Sequence, residues 1–219
     1  MLQVVLLGAS GLVGSSLLRI VLEDARIESV LSLARRPSGK EHAKLREHVV
    51  DFRDLPALRR EVQGDVLFSA LGTTLRKAGS QAAQYEVDYT FQWNVARAAA
   101  DNGVRRYVLC SAAGASATSL LFYNRMKGEL DRDVAGLGFS ACHVVRPSIL
   151  DGDRGERRPG EAVGLAAMRL LGYVPGLRTY RPIPAETVAR AMFAAALRED
   201  AGSFVHGPAE LFEMARAVG

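Results

Sequence analysis

Residues 2 to 14 read LQVVLLGASGLVG and decide the fold, because an apolar strand runs directly into a glycine-rich turn. Gly8 permits a tight turn, Gly11 allows a pyrophosphate to approach the backbone, and Gly14 lets the next helix pack near the strand. The first N–H groups of that helix face the same anion. The spacing is GxxGxxG, so its place on a strand-to-helix turn carries the prediction of a dinucleotide site; the alternative is a glycine turn without a ligand.

Short β-branched runs alternate with helical patterns along the chain, which is typical of βαβ units and a parallel sheet. The predicted strands cover residues 3–8, 29–34, 48–51, 65–71, 106–111, 141–146 and 203–206. The predicted helices cover residues 10–24, 81–102, 120–135, 161–171 and 185–199, with one more at the end of the chain. We therefore predict an α/β fold, a Rossmann-type doubly wound parallel sheet with helices on both faces.

The part of the chain after residue 147 has a different pattern. A charged, glycine-rich loop (DGDRGERRPG, 151–160) and an irregular stretch (YVPGLRTYRPIP, 173–184) flank a short helix. Its arginines favour an anionic or polar ligand: Arg154, Arg157, Arg158, Arg178 and Arg181. Because this part is too short for its own core, we predict one NAD(P)-binding domain over residues 1–219, with residues 148–219 as a small C-terminal substrate lobe over the cleft.

Charge and residue composition exclude several classes of protein. The 28 basic residues are scattered among 24 acidic ones, so we expect no nucleic-acid partner. Cys110 and Cys142 lie in apolar runs, which argues against a disulfide framework. The histidines lack the spacing of metal ligands, so we expect no metal site and interpret them as ordinary surface or strand residues: His42, His48, His143 and His206.

The start of the chain and its apolar runs bear on location. An apolar strand begins at once, with no basic leader, and no apolar run approaches the roughly 18 residues of a membrane span. We expect a cytoplasmic protein with no membrane partner and a small-molecule substrate. The sequence leaves open whether the protein forms a homodimer.

The end of the second predicted strand indicates which cofactor binds. A site for NAD places a carboxylate there to hold the ribose 2′-hydroxyl, whereas the 2′-phosphate of NADP needs a cation. The sequence is LSLARRP, and Arg35 and Arg36 can form forked, charge-assisted hydrogen bonds to a phosphate. NADP(H) is therefore favoured, although both arginines could be solvated loop charges. Asp51, which ends the third strand, could accept from the adenine amino group or could be a turn residue.

Three further residues form a proton-transfer group. Tyr123 and Lys127 lie four residues apart, so they share one helix face, and the ammonium can lower the pKa of the tyrosine from its free value of about 10. Ser111 ends the fifth strand at the carboxyl edge, where its hydroxyl can hold a reacting oxygen. The alternative is a surface Tyr–Lys pair on a helix.

The order of these motifs resembles the atypical short-chain dehydrogenase/reductases over nearly the whole chain. LGTTLRKAG (71–79), YNRMKGELD (123–131) and RPSILDGDRGERRPGE (146–161) are similar to the Tat-interacting-protein-type oxidoreductase-like group. The resemblance implies catalytic roles for Ser111, Tyr123 and Lys127. It also implies that the cofactor contacts are Gly8, Ser10, Gly11, Leu12, Val13, Gly14, Arg35, Arg36, Asp51, Leu71, Gly72, Thr73, Tyr123, Lys127 and Pro147.

One position departs from that family. Where many members carry an asparagine early in the helix after the fourth strand, this chain has Asp88, and Asn94 cannot replace that asparagine one to two turns later. The sequence predicts an NADP(H)-dependent oxidoreductase that transfers hydride between nicotinamide and a small carbonyl or alcohol. An NADP(H)-binding regulator without significant turnover is the alternative, and a nucleotide-sugar epimerase is disfavoured because the C-terminal lobe is short.

Overall fold

A computed structural model gives the structure of the protein and describes residues 1–151 and 182–218. The strands are β1 (Leu2–Leu7), β2 (Ile27–Ala34), β3 (Leu45–Val49), β4 (Val66–Ser69), β5 (Arg106–Cys110), β6 (Ala141–Val145), β7 (Leu150–Asp151), β8 (Ile183–Pro184) and β9 (Gly202–His206). The helices are α1 (Leu12–Glu23), α2 (Leu55–Glu61), α3 (Leu75–Ala78), α4 (Gln81–Tyr85), α5 (Phe91–Asp101), α6 (Phe122–Ala135), α7 (Ala185–Ala196) and α8 (Pro208–Arg216). A π-helical turn, Glu86–Thr90, joins α4 to α5.

Seven strands form a parallel sheet in the order β3-β2-β1-β4-β5-β6-β9, and β7 pairs with β8 separately. The chain runs outward from β1 to β3, then crosses back and continues outward from β4. Loops after β1 and β4 therefore leave the carboxyl edge on opposite faces, which opens a crevice between them. The predicted Rossmann-type parallel sheet is confirmed.

Alternating side chains place one core on each face of the sheet. Along β1, Val4 and Leu6 join the core that packs against α1, α7 and α8, whereas Val5 and Leu7 join the core that packs against α2, α5 and α6. Both β1 faces are buried, so its sequence is a continuous apolar run instead of an alternating one.

Some predicted elements differ from the structure. Strand β3 begins and ends earlier than the predicted 48–51, because it pairs with β2 from Leu45 to Val49. Helix α2 was not predicted, although Asp54 caps it by accepting from the N–H of Ala57 and a proline lies in its first turn. The predicted helix 81–102 contains the π-helical turn. No helix in the described ranges is long and apolar enough to cross a membrane.

The described C-terminal residues belong to the main fold. Strand β9 is the seventh strand of the sheet, and α7 packs against α1 through an almost wholly buried face. Strand β9 and helices α7 and α8 thus complete the sheet and one of its helical layers, whereas β8 pairs with β7 outside the sheet. The rest of the predicted lobe, including the helix 161–171 and the five arginines, lies outside the described residues.

His143 and His206 form a buried pair between β6 and β9. His143 Nδ1 lies 3.0 Å from His206 Nε2, and Glu210 Oε1 lies 2.6 Å from His206 Nδ1. Burial lowers the pKa of His143 to about 4. These are strand histidines as predicted, but no motif in either strand indicates that the two side chains meet.

Candidate active site

The turn between β1 and α1 needs its glycines for steric reasons. Gly8 has φ +91°, and a Cβ there would lie 2.6 Å from the backbone of Ala70. A Cβ at Gly14 would lie 2.0 Å from the carbonyl oxygen of Gly8. The first position requires a left-handed conformation, and the second lets α1 pack directly on the turn.

The N-terminus of α1 faces a cavity at the carboxyl edge of the sheet. Its N-cap is Gly11, which offers no side-chain cap, and no acidic residue occupies the first turn. Ser10, Gly11, Leu12 and Val13 line the cavity, whose volume is about 970 Å³. Uncapped N–H groups at a helix start attract an anion, so this cradle fits the pyrophosphate of a dinucleotide.

The same cavity collects most of the predicted site residues. Its wall contains Ser10, Gly11, Leu12, Val13, Leu71, Gly72, Thr73, Ser111, Tyr123 and Lys127. Gly8 and Gly14 shape the turn beneath it. Residues that the sequence analysis did not assign also line the cavity, among them Leu75, Gln84, Leu121, Asn124 and Leu150.

Besides Gly8 and Gly14, four predicted cofactor residues lie outside the cavity wall. Arg35 and Arg36 are exposed immediately after β2. Asp51 is exposed and accepts from the N–H of Arg53 at 3.0 Å, which is the turn role considered as its alternative. Pro147 is buried, and its carbonyl accepts from the N–H of Ala113 at 2.8 Å. Contacts between these residues and a cofactor stay predictions.

Tyr123 and Lys127 lie one turn apart on α6, as their spacing predicts. Tyr123 is 41% exposed at the cavity, whereas Lys127 is 3% exposed. Burial alone would lower the pKa of Lys127, but the adjacent Asp88 carboxylate, with a smaller contribution from Tyr123, outweighs burial and raises it above its ordinary value. Lys127 is therefore held as an ammonium beside the tyrosine.

Ser111 lies directly after β5, and its backbone N–H donates to the carbonyl of Val145 at 2.8 Å. The side chain is buried and lines the cavity. Its hydroxyl lies beside Asp131 but forms no regular hydrogen bond with the described part of the chain. The hydroxyl can therefore turn toward an oxygen in the cavity.

Asp131 is a buried carboxylate one turn beyond Lys127 on α6. Its Oδ2 atom accepts from Arg146, at 3.0 Å from Nε and 2.9 Å from the nearer terminal nitrogen. Burial raises the pKa of Asp131, while Ser111 and Arg146 act in the opposite direction. No motif in the sequence marks Asp131 as a site residue, because its partner Arg146 lies beyond the next strand.

Asp88 and Asn94, the two residues at the departure from the family pattern, have different surroundings. Asp88 is 1% exposed, and its Oδ1 atom lies 3.0 Å from Lys127 Nζ. Asn94 instead donates its side-chain N–H to the carbonyl of Phe52 at 2.9 Å. Asn94 thus supports the loop after β3, and Asp88 is the polar residue that contacts the proton-transfer pair.

The two cysteines are partly or fully buried. Burial raises the pKa of Cys110 to about 11, so this thiol at the cavity is neutral, and Cys142 is buried in the core. Over residues 1–151 and 182–218, no cluster of three His, Cys, Asp or Glu side chains is arranged to hold a metal ion.

Together, the sheet, the glycine turn and the Ser–Tyr–Lys group define an NAD(P)-binding protein of the short-chain dehydrogenase/reductase class. Residues 4–119 match the model of the NAD dependent epimerase/dehydratase family, and the chain belongs to that family. The predicted membership of the atypical short-chain dehydrogenase/reductases and of an NAD(P)-dependent class of enzymes is confirmed.

Curated relatives match most of the chain. Protein fmp52, mitochondrial, of Aspergillus fumigatus is 34% identical over 97% of this chain and 94% of its own length. Protein FMP52, mitochondrial, of Meyerozyma guilliermondii is 36% identical over 70% of this chain and 67% of its own. The cytoplasmic location expected from the sequence is wrong, because such relatives are named as mitochondrial proteins. Receptors read a targeting address independently of the packing that determines a fold, so the apolar first strand could not decide location.

Solved structures share the fold at low identity. MoeE5 in complex with UDP-glucuronic acid and NAD has a TM-score of 0.66 and 20% identity, over 93% of this chain and 75% of that one. UDP-glucose 4-epimerase from Thermotoga maritima has a TM-score of 0.69 and 15% identity, over 98% and 82% of the two chains. Together with the family match, these structures support a nicotinamide cofactor.

Proposed function

We propose that the protein is an NADP(H)-dependent oxidoreductase, in which hydride passes between nicotinamide and a small carbonyl or alcohol substrate. One observation carries the proposal: Ser111, Tyr123 and Lys127 line the same cavity as the uncapped N-terminus of α1. A dinucleotide anchored at that helix start could extend its other end toward the three side chains.

Each residue of the group has a distinct role. When bound, the nicotinamide supplies or accepts the hydride. The phenol of Tyr123 donates a proton to the carbonyl oxygen, Lys127 stabilises the resulting phenolate, and the Ser111 hydroxyl donates a hydrogen bond that orients the oxygen. In alcohol oxidation the same groups act in reverse, with the phenolate of Tyr123 as the base.

Turnover of a carbonyl panel tests the proposal. We expect the purified protein to oxidise NADPH in the presence of at least one aldehyde, ketone or quinone, followed by loss of reduced-nicotinamide absorbance. The matched blank contains NADPH and protein alone. Tight NADPH binding without turnover across the panel would contradict the enzyme and favour the regulator.

The panel should also include UDP-glucose, because MoeE5 was also solved with UDP-glucose and NAD. In this arm the cofactor is supplied oxidised, as NADP⁺ or NAD⁺, because epimerisation begins with hydride transfer from the sugar to the nicotinamide. The hydride then returns to the same sugar, so the sugar changes without net reduction of the cofactor. Conversion of the sugar, with no net oxidation of NADPH by any carbonyl, would replace the proposed reaction by an epimerase reaction.

Arg35 and Arg36 predict which cofactor binds more tightly. We expect NADPH to bind more tightly than NADH, because a charge-assisted hydrogen bond to the 2′-phosphate contributes about 1.5–3 kcal/mol, roughly tenfold to hundredfold in affinity. Arg35→Ala should weaken NADPH binding by about this factor and leave NADH nearly unchanged. Calorimetric titration of both cofactors measures the difference.

Arg97→Ala is the matched control, because Arg97 is exposed on α5 and does not line the cavity. It should change neither affinity. Equal affinities of the unmodified protein for NADPH and NADH would refute the preference for NADP while leaving a nicotinamide cofactor in place.

A further inference from the structure

Asp88 bridges two walls of the cavity through one carboxylate. Its Oδ1 atom lies 3.0 Å from the Nζ atom of Lys127 on α6, and its Oδ2 atom accepts from the N–H of Thr73 at 2.8 Å, in the loop after β4. The side chains of Asp88 and Lys127 are 2% and 4% exposed. A buried ion pair with a further hydrogen bond has little freedom to move, so the two walls are held together.

The backbone at Asp88 is fixed as well. The residue lies in the π-helical turn Glu86–Thr90, and its carbonyl accepts from Gln92 Nε2 at 2.6 Å. Gln92 in turn accepts from the Ser69 hydroxyl at 2.7 Å, at the end of β4. π-Helical turns are rare and often occur at functional sites, where they re-aim a side chain. Here the turn presents a carboxylate to the cavity.

We infer that Asp88 is a positioning residue of the site, which fixes the Lys127 ammonium beside Tyr123 and couples it to the loop after β4. This inference rests on the proposed function of Tyr123 and Lys127 as the proton-transfer pair. It assigns Asp88 a different task from an amide side chain, because a carboxylate brings a negative charge into contact with the ammonium. The charge affects how readily the pair loses a proton.

The effect of that charge has a definite direction. Tyr123 and Lys127 interact, so their titration belongs to the pair. A neighbouring negative charge holds protons on the pair, and its removal by Asp88→Asn makes the first proton leave at lower pH, whichever group loses it. An adjacent opposite charge shifts a pKa by about one to three units, which sets the size of the expected change.

The other titratable or charged groups around Tyr123 and Lys127 are the same in Asp88→Asn and in the unmodified protein. Cys110 on β5 is neutral because burial raises its pKa to about 11. Asp131 on α6 is paired with Arg146. Lys77 on α3 lines the cavity and is exposed. A difference between Asp88→Asn and the unmodified protein therefore reports the loss of the Asp88 carboxylate.

Carbonyl reduction requires the fully protonated pair, so its rate falls at high pH when the pair loses a proton. We expect Asp88→Asn to move this basic limb of the kcat/KM profile to lower pH by about one to three units. The matched control is Glu129→Gln, which removes a carboxylate from α6, the helix that carries Tyr123 and Lys127. In the unmodified protein this carboxylate accepts from the Tyr85 hydroxyl at 3.0 Å. The basic limb of the kcat/KM profile of this control should stay at the pH of the unmodified protein.

A second measurement, the pH dependence of stability, follows the protons of the pair and needs no substrate. The unfolded forms of the two proteins titrate alike in this respect, so the difference between their unfolding free energies depends on the protons that the folded pair holds. In Asp88→Asn the folded pair begins to lose a proton at lower pH than in the unmodified protein, so above that pH the folded variant binds fewer protons than the folded unmodified protein. The gap in unfolding free energy between the two proteins should therefore narrow as pH rises, as measured by urea denaturation.

The outcomes separate this inference from the proposed function. The role of Asp88 would be overturned if the difference in unfolding free energy stayed constant with pH and the basic limb of the kcat/KM profile did not move. A narrowing gap without turnover of any carbonyl would support Asp88 and contradict the proposed reaction. If Asp88→Asn does not fold, Asp88→Asn/Lys127→Met should restore folding by removing the uncompensated buried charge, and failure to restore it would also overturn the pairing.

Discussion

Tyr123→Phe is expected to lower kcat for carbonyl reduction by on the order of 10²–10⁴, because it removes the proton donor and keeps the aromatic ring. NADPH affinity should change little, since the helix start of α1 and the Lys127 ammonium are untouched. Steady-state kinetics on any substrate found by the carbonyl panel, with calorimetric titration of NADPH, measures both quantities. The split between a large loss of kcat and an intact affinity distinguishes proton transfer from binding.

Tyr85→Phe is the control for this substitution. Tyr85 lies on α4, does not line the cavity, and donates to Glu129 Oε2 at 3.0 Å. Loss of that hydroxyl should leave turnover within about twofold of the unmodified protein, because a half-exposed hydrogen bond contributes about 1 kcal/mol to stability and nothing to the reaction. Substantial residual turnover in Tyr123→Phe would assign the proton step to another group.

The glycine turn and the alternation of strands and helices along the chain were predictable because their causes are local. An apolar run followed by closely spaced glycines defines β1, the turn and α1 within 22 consecutive residues, Leu2 to Glu23. The four-residue spacing of Tyr123 and Lys127 likewise fixes a shared helix face. Parallel strands then bring their carboxyl ends to one edge, which is why Ser111 meets the same cavity.

The contacts of Asp88 were not predictable, because they depend on a local irregularity and on long-range pairing. A regular helix over residues 81–102 gives no reason for the π-helical turn that presents Asp88 to the cavity. The ion pair joins residues 88 and 127, and nothing in either segment specifies that distance. The sequence could mark Asp88 only as a departure from the family pattern.

Long-range packing also explains two other side-chain pairs, one next to Ser111 and one between β6 and β9. Asp131 and Arg146 meet because α6 packs beside β6, and His143 meets His206 because β6 and β9 are adjacent strands. Each member looks ordinary in its own segment. Packing of a helix on a strand determines the first pair, and register between strands determines the second.

Gly14→Ala is expected to damage both stability and cofactor binding. The added Cβ would lie 2.0 Å from the carbonyl oxygen of Gly8 and 2.7 Å from its carbonyl carbon, and backbone atoms cannot rotate away. Overpacking of this kind costs about 1–3 kcal/mol of unfolding free energy, or more where backbone must move. Because α1 must shift away from the turn, its first N–H groups lose contact with the pyrophosphate. NADPH affinity should fall by roughly tenfold to hundredfold, equivalent to one charge-assisted hydrogen bond.

Gly136→Ala is the matched control, since Gly136 has a right-handed helical conformation at the end of α6 and an added Cβ would lie 3.5 Å from the Asp133 carbonyl, an ordinary contact. This substitution should leave NADPH affinity unchanged and change stability by less than about 1 kcal/mol. Urea denaturation and calorimetric titration compare the two variants. If Gly14→Ala bound NADPH as tightly as Gly136→Ala does, the helix start of α1 would not be the anchor of the cofactor, and the dinucleotide would have to bind elsewhere in the cavity.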